Sequence, residues 1–182
     1  MTESVTVLLK AYRDGESAAL NQLAELLYPE LKAMARRRAG ASSSATTLVN
    51  ETFLKLLAGG ALTPQDRSEF FALAATVMRR IIVDEVRYHT AGKRAGQEVT
   101  LAETILGDES HERAQFLLEV DEMLGVLEAE DARLARVFEC RYFAGLTTSE
   151  TAEALDLSVR TVERCWSSAR ERIAAMIESS KE

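Results

Sequence analysis

Residues with reactive or ligating chemistry are few in this 182-residue chain. His89 and His111 are its only histidines, and Cys140 and Cys165 its only cysteines. None of the four stands at metal-ligand spacing from another. No glycine-rich phosphate loop and no nucleophile motif accompanies them. An enzyme is therefore not expected, nor a metal, nor a cofactor. The chemistry that stands out is cationic. The stretch LTTSETAEALDLSVRTVERCWSSARERI (146–173) carries Arg160, Arg164, Arg170 and Arg172. Guanidinium groups in such a row answer DNA phosphates and base edges, provided a helix presents them to a groove.

The same stretch contains the parts that would present them. Thr147 followed by Glu150 matches a capping box, which satisfies free amides at a helix start. Ala152 is small where two helices must cross closely. Asp156 takes a turn position that calls for a left-handed backbone, which aspartate tolerates. Ser158 can cap a second helix. On that helix Val162, Trp166, Ala169 and Ile173 share one face, with Leu155 and Leu157 completing a small core. The opposite face offers Arg160, Glu163, Arg164, Ser167 and Ser168, and the pattern predicts a helix-turn-helix. A plain helical hairpin with solvated arginines is the bland reading. The motif alone does not separate repressor, activator and initiation factor.

A second cationic row lies in FFALAATVMRRIIVDEVRYHTAGKR (70–94). Arg80, Asp84 and Arg87 fall at i, i+4 and i+7, with Arg79 beside them and Lys93–Arg94 just beyond. Arg80 and Asp84 are spaced to pair along a helix. Cations with Tyr88 and His89 nearby suit single-stranded nucleic acid, where unstacked bases find rings. A core helix with a solvated charged face would look the same.

The elements that must hold these rows are helical throughout. Nine glycines and two prolines are few, and long apolar-periodic runs replace short alternating ones. A helix over about Val5–Tyr12 ends at Asp14–Gly15. The next runs from about Ser17 to Arg38, with Leu20, Leu23, Leu27, Leu31 and Met34 on one face and a kink or break expected near Tyr28, before Pro29. GASSSATT (40–47) and GGALTPQD (59–66) read as loops around a helix from Thr47 to Leu57. Ser68 is expected to cap a long helix to about His89. Helices over 113–128 and 131–144 precede the opening stretch. The segment 91–112 has no sustained period. The expected fold is all-α, two small helical domains joined by a flexible acidic linker: 1–92, the linker 93–112, and 113–182 with the helix-turn-helix.

Net charge is −7, but it is unevenly placed. Residues 1–94 hold 13 basic and 10 acidic side chains, net +3; residues 95–131 hold one basic and 11 acidic, net −10; residues 132–182 hold 8 of each. The acidity sits in the middle, so it does not oppose nucleic-acid binding by either flank. The N-terminal MTESVTVLLKAYRDGE lacks secretory-signal features, and no window reaches the roughly 18 apolar residues of a membrane span. With unpaired cysteines this predicts a cytoplasmic protein without membrane contact.

The order LVNETFLKLL (48–57), SEFFALAATVMRRIIVDEVRYH (68–89) and a C-terminal helix-turn-helix resembles the extracytoplasmic-function (ECF) sigma factors of bacteria. It looks closest to a branch in which RTVER (160–164) is followed by a tryptophan and an alanine–arginine pair, as in CWSSAR (165–170). The resemblance implies a sigma factor that binds core RNA polymerase and directs promoter-specific initiation. It implies that Leu48, Val49, Asn50, Glu51, Phe53 and Leu54 lie on a polymerase-binding helix, with Glu51 the charged contact. Arg79, Arg80, Asp84, Arg87, Lys93 and Arg94 would lie at the melted strand of the minus-ten element. Arg160, Thr161, Glu163 and Arg164 would face the minus-thirty-five duplex, with Ser167 and Ser168 nearer its backbone. The acidic linker would enter the polymerase's basic nucleic-acid path, where Glu98, Glu103, Asp108 and Glu109 imitate RNA or template; a flexible spacer kept soluble by its charge is the bland reading. Core polymerase and promoter DNA are the implied partners, and an anti-sigma protein is a further one that such factors admit.

Three positions depart from that pattern. SSATT (43–47) stands where acidic residues are usual, Cys165 where a basic residue is common, and Asp156 where glycine is usual. The competing readings are a stand-alone helix-turn-helix regulator binding duplex DNA as a dimer, and an interaction protein that titrates polymerase without reading DNA.

Overall fold

Apolar spacing along 17–38 becomes a buried helical face. The computed structural model describes residues 2–39, 43–57, 64–95 and 110–180, and every regular element among them is a helix. In α2 (Ala18–Ala39), Leu23, Leu27, Leu31 and Met34 are buried. α1 (Thr2–Arg13) packs on α2 after a reversal at Gly15, whose φ is 97°. α3 (Ser43–Leu57) lies between α2 and α4 (Arg67–Ala95). Leu48, Val49, Leu56, Phe70, Met78 and Ile82 fill the space among them, and the Phe70 and Phe71 rings meet edge to face at 5.3 Å.

Several boundaries differ from the sequence expectation, each for a local reason. α2 runs through Pro29 without a break. Proline removes only the amide that would bond to the Glu25 carbonyl, and Glu25 and Pro29 both lie on the exposed side, where water can serve that carbonyl. Packing of Leu23, Leu27 and Leu31 on the other side holds the helix together. Residues 43–47, expected as loop, form the first turn of α3 because Ala45 is buried beneath them. The cap of α4 is Asp66, which accepts from the Glu69 amide at 2.8 Å, while the Glu69 carboxylate accepts from the Gln65 amide at 2.8 Å. Ser68 lies inside the helix. α4 also continues past His89 to Ala95, into the segment expected as linker; residues 96–109 of that segment, with Glu98, Glu103, Asp108 and Glu109, lie outside the described residues.

The C-terminal half begins with α5 (Ser110–Glu130). Asp131 then caps α6 (Ala132–Phe138), accepting from the Arg133 and Leu134 amides at 3.1 and 3.2 Å. The chain widens into a π-helical turn over Glu139–Phe143. α7 (Thr148–Ala154) and α8 (Val159–Ser179) follow. Among the described residues no helix is long and apolar enough to cross a membrane.

α4 joins the two halves. Over its 29 residues it packs on α1 and α3 on one side, and on α5, the π-helical turn and α7 on the other. The buried side chains accordingly form one continuous set through both halves. Gly145 marks a second close approach. Its φ is +68°, and a Cβ there would lie 3.2 Å from the Arg37 Cβ and 3.4 Å from the Met34 carbonyl.

Two glycine replacements should therefore change stability in opposite directions. Gly145→Ala forces a side chain into a left-handed backbone against α2 and should cost about 1 kcal/mol or more. Gly125→Ala, within α5 and facing open space, should add about 0.5–1 kcal/mol by raising helix propensity. Urea unfolding followed by circular dichroism measures both, and equal midpoints for the two variants would contradict the close approach at Gly145.

Candidate nucleic-acid interface

The helix pair at the C-terminus is assembled by hydrogen bonds that its sequence encodes. The Glu150 amide donates to Thr147 Oγ1 at 3.2 Å, and the Thr147 amide donates to Glu150 Oε2 at 2.7 Å, so both orphan donors of the capping box are satisfied. The turn closes with the Leu157 amide on the Ala152 carbonyl at 2.9 Å, and Asp156 adopts φ 51°. Ser158 caps α8 by accepting from the Thr161 amide at 3.1 Å, and the two hydroxyls lie 2.7 Å apart.

Val162, Cys165, Ala169, Ile173 and Ile177 form the buried face of α8. Cys165, which stands where a basic residue is common, is thus a core side chain and not a lost DNA contact. Burial pushes the Cys140 thiol up to about 12, so it is not disposed to react. Trp166, expected on the inner face, sits half-buried at its rim, 5.4 Å from the Phe138 ring and flanked by Arg141 and Arg170 at 5.5 and 5.2 Å. Arg170 is thereby occupied, and Arg172 pairs with Glu130. Of the four arginines in this stretch, Arg160 and Arg164 remain exposed without an ion-pair partner among the described residues. Glu163 and Ser167 are exposed beside them; Thr161 and Ser168 are half-buried. The expected duplex-facing set is brought together on one face.

The second cationic row is divided. Arg79 is only 18% exposed and turns toward the C-terminal half. Its Nε donates to Asp121 Oδ1 at 2.7 Å, its Nη1 to Glu139 Oε1 at 3.2 Å and its Nη2 to the Asp121 carbonyl at 3.3 Å. Burial alone would lower the Arg79 guanidinium, but Asp121 and Glu139 outweigh it and hold it above its ordinary value. Arg87 reaches the second oxygen of Asp121 at 3.2 Å. Arg80 and Asp84 point to solvent and do not pair with each other. Tyr88 is 62% exposed. Lys93 and Arg94 belong to the last turn of α4, and their side chains, like that of His89, lie outside the described residues.

The α3 set also separates. Leu48 and Val49 are core residues, so they can only hold the helix. Thr52, between them and Leu56, is buried with its hydroxyl donating to the Leu48 carbonyl at 2.6 Å. Leu54 is 61% exposed, Phe53 and Glu51 are partly so, and Asn50 accepts from the Tyr28 hydroxyl at 2.9 Å. Glu51 shares a face with Glu85, whose carboxyl is raised first by burial and then by repulsion from Glu51 and Asp84, with Lys55 opposing. The result is an acidic, partly apolar surface suited to a basic partner.

Sequence reasoning missed the residues that join the halves. Arg37 donates to the Gly145 carbonyl at 2.6 Å and to Glu150 at 2.9 Å. Arg67 pairs with both Glu30 and Glu153 and lies 4.9 Å over the Phe71 ring. Glu139 is buried and accepts from the Thr76 hydroxyl at 2.8 Å. A lone carboxylate in the apolar run VFEC was the available signal. Among the described residues no cluster of His, Cys, Asp or Glu could hold a metal.

The model of the family described as ECF sigma factor matches residues 2–179. No curated protein matches the chain significantly. A solved structure, CnrH in complex with the cytosolic domain of CnrY, resembles it at 21% identity and a TM-score of 0.45, covering 97% of this chain and 98% of that one.

The capping box yields a prediction read at one carboxyl. Burial alone would raise Glu150, but the Thr147 amide, the Thr147 hydroxyl and then Arg37 together hold it below its ordinary value. A depressed folded value means that this contribution is present above the unfolded carboxylate range and is lost as pH falls through the folded value. Thr147→Ala should cost about 1 kcal/mol of stability and move the Glu150 titration upward. Carboxyl-detected NMR titration measures the second effect; an unmoved Glu150 would show that the residue 147 amide and Arg37 set it without the hydroxyl.

Proposed function

The chain belongs to the ECF sigma factor family, and from that premise we propose that it binds core RNA polymerase and directs initiation through two separate promoter contacts. A role in transcription initiation follows from the family; such a factor catalyses nothing itself, and the polymerase carries out the chemistry. In the finer reading, α8 reads the minus-thirty-five element as duplex and α4 faces the melted strand of the minus-ten element. α3 meets the polymerase through Asn50, Glu51, Phe53 and Leu54, with Leu48 and Val49 holding the helix from beneath. Residues 1–92 and 113–182 act as the two promoter-binding units, and the acidic segment 93–112 passes between them through the polymerase.

The observation that carries this reading is the pair Arg160 and Arg164. They stand exposed and without an ion-pair partner among the described residues, on a capped helix whose other arginines are engaged elsewhere. A recognition helix places the residues of its first turns at base edges, and free guanidinium groups there are what that contact needs. Thr161, Glu163, Ser167 and Ser168 surround them at positions suited to neighbouring bases and phosphates. On α3, a 61% exposed leucine beside carboxylates gives a basic partner both apolar area and charge.

Run-off transcription with purified core polymerase and genomic fragments tests the reading: start sites should appear only when the protein is added. Arg160→Ala or Arg164→Ala should weaken use of the recognised promoter by about 1–3 kcal/mol if the arginine meets a base edge, or lower the salt slope by about 1 if it meets a phosphate. Binding of a palindromic duplex by a dimer without polymerase would instead identify a stand-alone regulator. Unchanged behaviour of both arginine variants would identify a protein that titrates polymerase without reading DNA.

A further inference from the structure

We propose that the free chain masks part of its own strand-facing surface: the C-terminal half places Asp121 and Glu139 on the guanidinium groups of Arg79 and Arg87, so that these two cations become available to nucleic acid only when the two halves part, while Arg80 stays exposed. This rests on the assignment of Arg79 and Arg87 to the melted strand made above.

The geometry is that of a phosphate site already filled. Arg79 directs Nε, Nη1 and Nη2 at oxygens of Asp121 and Glu139, and Arg87 takes the remaining carboxylate oxygen of Asp121. Two carboxylates thus neutralise two guanidinium groups, as phosphates of a bound strand would. A single strand cannot reach Arg79 while these contacts stand, because the arginine is 18% exposed and its partners are 12% and 8% exposed.

Glu139 gives the clearest sign that this contact is specific. It is flanked by Val137, Phe138 and Cys140, all buried, so an apolar residue would serve the C-terminal half alone. Its side-chain partners, Arg79 and Thr76, both lie on α4. A buried carboxylate without them would carry an uncompensated charge, so the position makes sense only as a contact between halves.

A second latch closes the far side of the same seam. Arg37 bridges to Glu150 and the Gly145 carbonyl, and Arg67 holds Glu153 while still paired with Glu30. Every one of these interdomain ion pairs runs from a base of the N-terminal half to an acid of the C-terminal half. The partners of this second latch are partly exposed, so salt and a competing polyelectrolyte can loosen them. Arg160 and Arg164 stay exposed without an ion-pair partner among the described residues, so closure engages Arg79 and Arg87 and leaves the duplex-facing set open.

Two full-length variants test the proposal from opposite sides of the seam. Asp121→Asn with Glu139→Gln removes the carboxylates directly; Arg37→Ala with Arg67→Ala releases the far latch and leaves Arg79 and its partners intact. Circular dichroism checks that each remains folded. Fluorescence energy transfer between dyes on α1 and α8 reports the separation of the halves, and a short fluorescent single-stranded DNA of mixed sequence reports access to α4. If the closed form holds about nine molecules in ten, either opened variant should bind the strand roughly tenfold more tightly than the parent chain. Adding Arg79→Ala should abolish the gain. Halves that stay together in both variants, or variants that part without binding the strand more tightly, overturn the proposal. Strand opening by the polymerase complex carrying Arg79→Ala separates the two readings. Unimpaired opening there removes the strand assignment itself, whereas impaired opening beside a failed binding gain removes only the masking.

Discussion

A guanidinium drawn largely out of water must have its charge and its N–H donors answered, and the arrangement of this molecule turns on how Arg79 meets that requirement. Its own helix offers nothing suitable, since Asp84 points to solvent and pairs with neither neighbour. The answer comes from α5 and the π-helical turn, through Asp121 and Glu139. Because those acids lie at a sequence distance of 42 and 60 residues, satisfying one side chain draws two helical assemblies together. The extra residue of the π-helical turn contributes here: it buries Glu139, Cys140 and Phe143 while the chain turns from α6 toward α7. Phe143 lies under Arg79 at 5.9 Å, so the ion pair rests on an aromatic floor.

The seam so formed adds ionic contacts to the apolar packing on either side. Within each half, leucine, isoleucine, valine and phenylalanine are buried without polar partners, and their burial is favourable in any salt. Across the seam the apolar packing continues and arginine–carboxylate pairs are added to it, which repay desolvation only when geometry is good and weaken when ions compete. A family whose members act in transcription initiation meets a highly charged partner in DNA. Ionic contacts laid over that continuous apolar set give the seam a component that such a partner can act on.

Local rules were legible wherever one short stretch supplied both members of an interaction. Thr147 with Glu150, Asp156 in the left-handed turn and Ser158 with Thr161 all stand as their spacing indicates, because each bond spans only a few residues. The apolar face of α2 is legible for the same reason. Local rules failed where packing on one side offset a local cost on the other. Pro29 is carried inside a continuous helix, Ser43–Thr47 is wound by the burial of Ala45, and Asp66 rather than Ser68 caps the start of α4. The rotation of α8 was also beyond periodicity alone: Trp166 and Cys165 are adjacent, both apolar, and only contact with α5 and α6 decides that the cysteine faces inward.

By itself, then, the order of residues determined an all-helical chain, its caps and turns, the exposed row containing Arg160 and Arg164, and the likeness that assigns it to a family. Each of these depends on neighbours within about two helical turns, or on motifs in a fixed order. Tertiary structure alone decided which cations are available. Arg160 and Arg79 look alike in sequence, yet one faces solvent and the other is held by two carboxylates from distant helices. Leu48 and Leu54 likewise share a helix, one in the core and one outside. Availability is a property of what lies opposite a side chain, and what lies opposite is set by packing between elements far apart in the chain.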